Sequence, residues 1–195
     1  NRLVAVYADD PENPGQPAEL LARYEYDGTN RRVEKQATEA AGDAKHVHYY
    51  YNQQWQLLEE RLVDAEGQVV TVDQYIWSQR YIDAPIAKLH DANADGDLAD
   101  AGDSILYYTG DANYNVTAAV EAATGVVVAR YVYTPYGKPT VNDATWNNPA
   151  APTSDGPLYC GYWYDSESGL YHVRRRYYRH DRDGRRFGRS PRFRE

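Results

Sequence analysis

Tyrosines recur along this chain at a nearly constant spacing, each inside a short strand-like run that ends at a turn residue. Tyr26 and Tyr51 are 25 residues apart, Tyr51 and Tyr75 are 24 apart, and Tyr107 and Tyr133 are 26 apart. Recurrence at about 20 to 50 residues is typical of repeat architectures, whose units bury their apolar faces only by stacking on neighbours. The chain holds 20 tyrosines but two phenylalanines. Because tyrosine carries a polar tip, this favours half-solvated sheet faces over a dry core.

Runs of strand-forming residues alternate with Gly, Asn, Asp and Pro turn residues over most of the chain. Asp27-Gly28 is a strong turn signal, because glycine adopts positive φ at little cost. The segment 54–63 also fits a helix, with Trp55, Leu58 and Leu62 at i, i+3 and i+7, but it follows a tyrosine run and a turn as the other return strands do. Strands are therefore predicted at 3–7, 20–26, 31–37, 46–51, 54–63, 69–77, 105–109, 115–122, 126–134, 159–164 and 170–178. The pattern predicts an all-β fold of consecutive antiparallel hairpins in a curved, repetitive sheet, as in a shell, tube or solenoid.

Charge is distributed unevenly between the body of the chain and its C-terminal end. Residues 1–169 hold 11 Lys+Arg and 26 Asp+Glu, a net −15, whereas residues 170–195 hold 10 Arg and three acids, a net +7. An acidic body with an arginine tail favours contacts within one chain or between copies. It argues against nucleic acid as a partner, since the body would repel phosphate. No run approaches 18 apolar residues, so no membrane span is predicted.

Three motifs resemble those of Rhs proteins. Residues 24–28 read YEYDG and precede Arg32-Val33, which resembles the YD repeat. Residues 111–117 and 131–137 read DANYNVT and YVYTPYG and resemble the start of the Rhs-repeat-associated core, and residues 161–178 resemble that core's signature. The resemblance is specific over about 107–178, looser over about 24–81, and covers most of the chain. The motif residues are Tyr24, Tyr26, Asp27, Gly28, Tyr133, Tyr136, Gly137, Tyr164, Gly169, Tyr171, Arg174, Arg175, Arg176, Tyr177 and Tyr178.

The resemblance implies a long β-sheet that spirals into a hollow shell, which encloses a toxic or guarded polypeptide or is displayed on a surface. Rhs relatives include secreted bacterial toxins, insecticidal toxin-complex components, wall-associated proteins and animal teneurins, and their shells need no catalytic pocket. The chain is therefore expected to be a structural protein and not an enzyme, extracellular or at the surface of a bacterial-type cell. Its expected partners are copies of itself or the rest of a longer Rhs precursor. An open sheet leaves unpaired edges that template association into a tube, filament or shell.

Two alternatives stay open on the sequence. One is the C-terminal end of a toxin-encapsulating Rhs shell, with an encapsulated C-terminal polypeptide as its partner. The other is a surface adhesion module that uses exposed Tyr and Trp faces. The absence of an initial Met and of a signal-peptide pattern indicates a cleaved piece of a longer precursor, and a fragment of one would look the same.

The motifs divide the chain into four segments. An N-terminal strand and a Pro-rich loop occupy residues 1–18, and YD-like repeat hairpins occupy 19–106 with an Asp-rich insertion at 91–103. A segment that resembles the Rhs core spans 107–178, and an Arg-rich tail spans 179–195.

Self-cleavage is the only chemistry that the resemblance suggests. Many Rhs cores end in a segment whose aspartates cut the chain, with an Asp-Pro pair before and after a Gly-Arg-Phe/Trp motif. Here Arg179-His180 and Ser190-Pro191 stand in place of those pairs. Asp181 and Asp183 remain as displaced candidates, but an aspartyl mechanism needs two carboxyls that share a proton. Since five neighbouring arginines would hold both ionised, no catalytic residue is assigned.

The insertion at 91–103 matches the first half of a calcium loop. Oxygen donors stand at alternate positions, and a glycine stands at position 6 of the loop; the donors are Asp91, Asn93, Asp95 and Asp97. Asp100 and Asp103 are the candidates for the closing ligand in place of the usual Glu. The alternative is a solvated acidic hairpin tip. Calcium is thus the one candidate metal, and no other cofactor is predicted.

The remaining reactive side chains point to no site. Cys160 is the single cysteine and is expected to be a small packed hydrophobe. His46 and His48 share a strand face but lack the spacing of a metal motif, so they are expected on a wet sheet surface.

Overall fold

A computed structural model describes residues 2–10, 12–13, 16–38, 44–64, 66–93 and 95–180. Their strands form two antiparallel sheets, one of 11 strands and one of four. In the large sheet each strand pairs with the next one along the chain, so its order is the sequence order. Its strands are β1 Ala5–Asp9, β2 Pro17–Tyr26, β3 Arg32–Thr38, β4 Ala44–Tyr51, β5 Leu57–Val63, β6 Val69–Trp77, β7 Pro85–His90, β8 Ser104–Gly110, β9 Val116–Glu121, β10 Val127–Tyr133 and β11 Pro139–Asn142.

One turn design occurs five times among the described residues of this sheet. An Asp or Asn side-chain oxygen accepts hydrogen bonds from the backbone N–H two residues on, at 2.8–3.0 Å, and four residues on, at 2.7–3.0 Å. The residue three positions on is left-handed, with φ between 62° and 79°. These bonds lie within one five-residue segment, so local sequence is sufficient to specify the hairpins. The turns begin at Asp27, Asn52, Asp64, Asp111 and Asp143.

The small sheet is formed by the C-terminal part of the described chain. It contains β12 Gly156–Pro157, β13 Trp163–Asp165, β14 Leu170–Val173 and β15 Arg176–Tyr178, with a 3-10 turn at Tyr159–Gly161 between the first two. This sheet packs on one face of the large sheet, called here the covered face. Three buried apolar clusters join the sheets: Leu170 lies in one with Val6 and Tyr24, and Trp163 lies in another with Tyr49 and Tyr75. In the third, Tyr131 and Tyr133 of β10 pack against a cluster that contains Tyr171.

The all-β fold of consecutive hairpins predicted from the sequence is confirmed. Residues 54–63 form a turn and then β5, not a helix. Three strands were not predicted, and Pro85 and Pro139 begin two of them, a position where strands tolerate proline. The predicted strand 170–178 is two strands, because Arg174 adopts φ 55° and turns the chain. In the turn that begins at Asp27, the residue with positive φ is Asn30 and not Gly28.

Within the described ranges, no helix combines the length and the apolar composition that crossing a bilayer requires.

Candidate functional site

The motif that most resembles the Rhs core, residues 161–178, forms most of the small sheet and seats it on the covered face. Gly161 has φ 68°, and a Cβ at this position would lie 1.6 Å from the backbone oxygen of Asp83, in the β6–β7 connection. Gly137 has φ 82°, and a Cβ there would lie 2.5 Å from the Tyr159 ring. Glycine is thus required at 161, where two backbone segments meet, and at 137, where an aromatic ring packs against the backbone.

Tyrosine hydroxyls tie the separate motifs together. Tyr171 donates to the carbonyl oxygen of Gly137, and Tyr178 donates to that of Tyr136, each at 2.8 Å. The hydroxyls of Tyr26 and Tyr177 lie 3.0 Å apart. The motifs at 24–28 and 131–137 are therefore each tied to the motif at 161–178, although more than 100 residues separate the first from the last.

The three consecutive arginines of the motif have different surroundings. Arg174 donates to both carboxylate oxygens of Asp83 at 2.7 Å. Arg175 lies over the Trp55 ring, 5.1 Å from its centre, and Arg176 is exposed at the start of β15. Only the first two contact the large sheet through these interactions.

A cluster of five charged side chains is buried between the two sheets. Arg32, on β3, donates two hydrogen bonds to Asp165, on β13, at 2.6 and 2.8 Å. Its guanidinium lies between the rings of Tyr24 and Tyr49, 4.9 Å from each centre. The Arg32 and Asp165 side chains are 1% and 0% exposed. A pair in such surroundings interacts strongly but has lost the hydration of both charges.

Lys35, also on β3, completes this cluster. Its Nζ contacts Asp155, lies 3.0 Å from Glu167 and is 3.9 Å from Asp165. Oxygens of the three carboxylates lie within 4.8 Å of one another, as in a metal site. The lysine ammonium occupies the cation position in this arrangement. The cluster as a whole contains three carboxylates and two cations.

This excess of carboxylates is reflected in the pKa values. Burial, reinforced by Asp165, raises the pKa of Glu167. Burial alone would also raise the pKa of Asp155, but Lys35 and Lys45 outweigh it and lower that pKa below its ordinary value. Conversely, burial would lower the pKa of Arg32, yet Asp165 raises it well above its usual range. Burial thus makes Glu167 easier to protonate than an exposed glutamate, whereas the two lysines make Asp155 harder to protonate.

A second buried carboxylate lies further along the covered face. Glu60, on β5, accepts a hydrogen bond from the Tyr75 hydroxyl at 3.0 Å. Burial, together with the nearby Asp73, raises the pKa of Glu60 to about 7. Asp73 itself is paired with Lys88 at 2.9 Å and with His90 at 2.8 Å. Lys45 and Lys88 oppose this rise without cancelling it, so the pKa of Glu60 stays near neutral pH.

The predicted calcium loop is largely exposed, although Asp91 is buried, and its side chains bond to one another and to its own backbone. Gly96 N–H donates to Asp91 at 2.8 Å, Asn93 donates to Asp95 at 3.1 Å, and Ala92 N–H donates to Asp103 at 3.0 Å. Calcium binding here stays a prediction. The self-cleavage candidates Asp181 and Asp183 lie outside the described residues.

The buried charges were not singled out from the sequence. Asp165 and Glu167 belong to the 161–178 motif, but the motif residues named from the sequence are its tyrosines, Gly169 and arginines. The signal that could have found them is a charged pair, Arg32 and Lys35, on a strand that follows a YD-type turn. Finding their partners needs the contact between residues about 120 to 133 positions apart.

Comparison with known proteins identifies the fold. No family model and no curated protein matches the chain. The Tc holotoxin pore of Photorhabdus luminescens matches with a TM-score of 0.56 at 15% identity, over 89% of this chain and 8% of that chain. The complex TcdB2-TccC3-Cdc42 matches with a TM-score of 0.59 at 16% identity, over 91% of this chain and 8% of that chain. The complex TcdB2-TccC3 matches with a TM-score of 0.57 at 15% identity, over 89% of this chain and 8% of that chain.

These matches show the fold of the chain. The chain has the multistranded all-β fold of a part of these Tc toxin proteins and spans 8% of the length of the chains that it matches. Toxin-complex components are among the relatives to which the sequence motifs point. The resemblance to Rhs proteins is therefore supported in its fold.

Proposed function

We propose that this chain is a structural, non-enzymatic wall segment of a larger Rhs-type β shell. The observation that carries the proposal is an 11-stranded sheet whose order follows the sequence and whose two edges differ. Each strand buries its covered face only through its neighbours and the small sheet, as expected of a repeat unit within a longer array.

The β11 edge is protected against further pairing. Val141 exchanges two backbone hydrogen bonds with Ala150, both 2.9 Å long. Pro139, two residues earlier, presents no N–H on the same side of the strand. These two features blunt an edge in the way that natural sheets avoid association.

The β1 edge is the candidate for extension. Within the described ranges β1 pairs with β2 alone, so its other side offers backbone donors and acceptors to a further strand. We infer that the sheet is extended here, by preceding strands in a longer precursor and by a second copy when the chain is isolated. The acidic body and the arginine tail would add charge attraction between copies, and an extracellular or surface location is part of the same proposal.

Sedimentation velocity and electron microscopy of the purified chain at rising concentration test this proposal. We expect association into tubes, filaments or shells, reduced by a lysine placed on the open edge, Ala8→Lys. Thr140→Lys, a lysine on the protected edge, is the matched control and should associate as the unchanged chain does. A stable compact monomer at high concentration would contradict the proposal, as would an equal effect of the two lysines.

A further inference from the structure

Three metal-ligating side chains converge on the face of the large sheet opposite to the covered one. His46 and His48 are two residues apart on β4, so both project from the same face. The pairing of β3 with β4 places Glu34 directly across from His48. One ligand atom of each side chain lies within 4.8 Å of those of the other two. The sequence showed the histidine pair, but only the strand register adds the carboxylate.

The contacts inside this group, called here the His–Glu triad, suit a shared ion better than a hydrogen bond. His46 Nε2 lies 2.7 Å from a carboxylate oxygen of Glu34. The two atoms are not aligned for hydrogen bonding, and Nε2 is buried without a hydrogen-bond partner. His48 Nε2 lies 3.9 Å from the other oxygen of Glu34. Metal–nitrogen bonds of about 2.0–2.1 Å in a tetrahedral site imply ligand separations of about 3.3 Å, between these two distances.

The side chains of the triad are partly exposed. Those of His46, Glu34 and His48 are 33%, 21% and 31% exposed, so solvent can supply the remaining ligands of a bound ion. Gln36 donates a hydrogen bond to Glu34 at 2.8 Å, the kind of outer contact that orients a ligating carboxylate. Arg61, across the sheet from His48, is held by Glu59 at 3.0 Å.

We propose that the His–Glu triad binds a divalent transition-metal ion of the zinc class. Imidazole nitrogen selects Zn²⁺, Cu²⁺ or Ni²⁺, whereas Ca²⁺ and Mg²⁺ require oxygen ligands throughout. The triad supplies two nitrogens and one carboxylate and joins β3 to β4. The bound ion links two neighbouring strands of the sheet and has an open coordination position towards solvent.

Calorimetric titration of the 195-residue chain, freed of metal by a chelator and carrying no polyhistidine tag, tests the site with Zn²⁺ alone. We expect one ion per chain at the triad. His46→Gln and His48→Gln, made separately, should each lower Zn²⁺ affinity by more than about tenfold, the loss that an outer-shell partner alone can cause. His90→Gln is the matched control, because His90 lies 2.8 Å from a carboxylate but in no triad, and it should leave the affinity unchanged.

Cu²⁺ electron paramagnetic resonance provides a second readout that does not depend on stability. Coupling of the copper signal to two nitrogens is expected in the unchanged chain and to one in each triad variant, with far-UV circular dichroism to verify folding. The proposal is overturned if His46→Gln and His48→Gln bind Zn²⁺ as tightly as the unchanged chain. It is equally overturned if His90→Gln reduces binding as much as they do.

Discussion

The buried ion pair between Arg32 and Asp165 should be essential for holding the two sheets together, and its neighbour in sequence provides the comparison. Arg31 and Arg32 each bind an aspartate at close range, 2.7 Å for Arg31–Asp27 and 2.6 Å for Arg32–Asp165. The first pair is 31% and 23% exposed in its side chains, and the second is 1% and 0% exposed. The two arginines thus make similar bonds in opposite surroundings.

Arg32→Met should destabilise the protein by about 3–5 kcal/mol, the usual cost of breaking a buried pair by removing one partner. Coulomb's law supports the size, since opposite charges about 4 Å apart interact by about 4 kcal/mol at an effective dielectric constant near 20. The substitution leaves Asp155, Asp165 and Glu167 with Lys35 as the one remaining cation of the five-residue cluster. Arg31→Met removes a partly solvated pair and should cost about 1 kcal/mol or less.

Urea unfolding of both variants measures this difference. Hydrogen exchange should further show faster exchange in β13 and β14 of Arg32→Met, because Asp165 anchors that hairpin. Adding Asp165→Asn to Arg32→Met should restore part of the lost stability, since the uncompensated carboxylate is then neutral. Equal losses in Arg31→Met and Arg32→Met would refute the reasoning, and so would simple additivity in the double variant.

Three further predictions follow from the covered face and the acidic loop. Gly161→Ala should cost more than about 2 kcal/mol in urea unfolding, because left-handed backbone alone costs about 1–2 kcal/mol and the new Cβ meets the Asp83 oxygen; Gly67→Ala, left-handed in open space, should cost less. The pKa of Glu60 rises from 4.5 to about 7 on folding, so the folded state binds the extra proton and stability falls as pH rises from 4.5 to 7, by up to about 3 kcal/mol. Glu60→Gln should flatten this part of the curve of unfolding free energy against pH, and an unchanged slope would exclude Glu60 as its source. Calcium should raise the melting temperature of the chain and lose that effect in Asp95→Ala, whereas a melting temperature indifferent to calcium would favour a solvated acidic turn.

The strands and turns of this protein could be predicted largely from local sequence. Each hairpin turn is closed within five residues by one Asp or Asn side chain, so its information is contained in the turn itself. Two of the three strands that were not predicted begin with Pro85 and Pro139, because proline predicts a break although a strand accepts it at its first position.

The site could be predicted only in part. The tyrosines and glycines of the motifs were found because residue type alone marks them. The hydrogen bonds of these tyrosines to Leu3, Tyr136 and Gly137 could not be predicted, since each bond joins two segments that are not neighbours in the sequence. For the same reason only the two histidines of the His–Glu triad were identified from the sequence, because strand pairing brings Glu34 to them.

The sequence by itself determined the order of strands, the turns and the tyrosine-rich character of the faces, because period-two alternation and turn chemistry act over a few residues. Tertiary structure decided that Arg32 is buried. Alternation from the buried Lys35 and Ala37 would turn Val33 inward, yet the β2–β3 register shifts at this point, so that Val33 is half-buried while Arg32 is 0% exposed. The reason is electrostatic: carboxylates at positions 155, 165 and 167 fold back over β3, and a buried cation is stable only where such partners meet it.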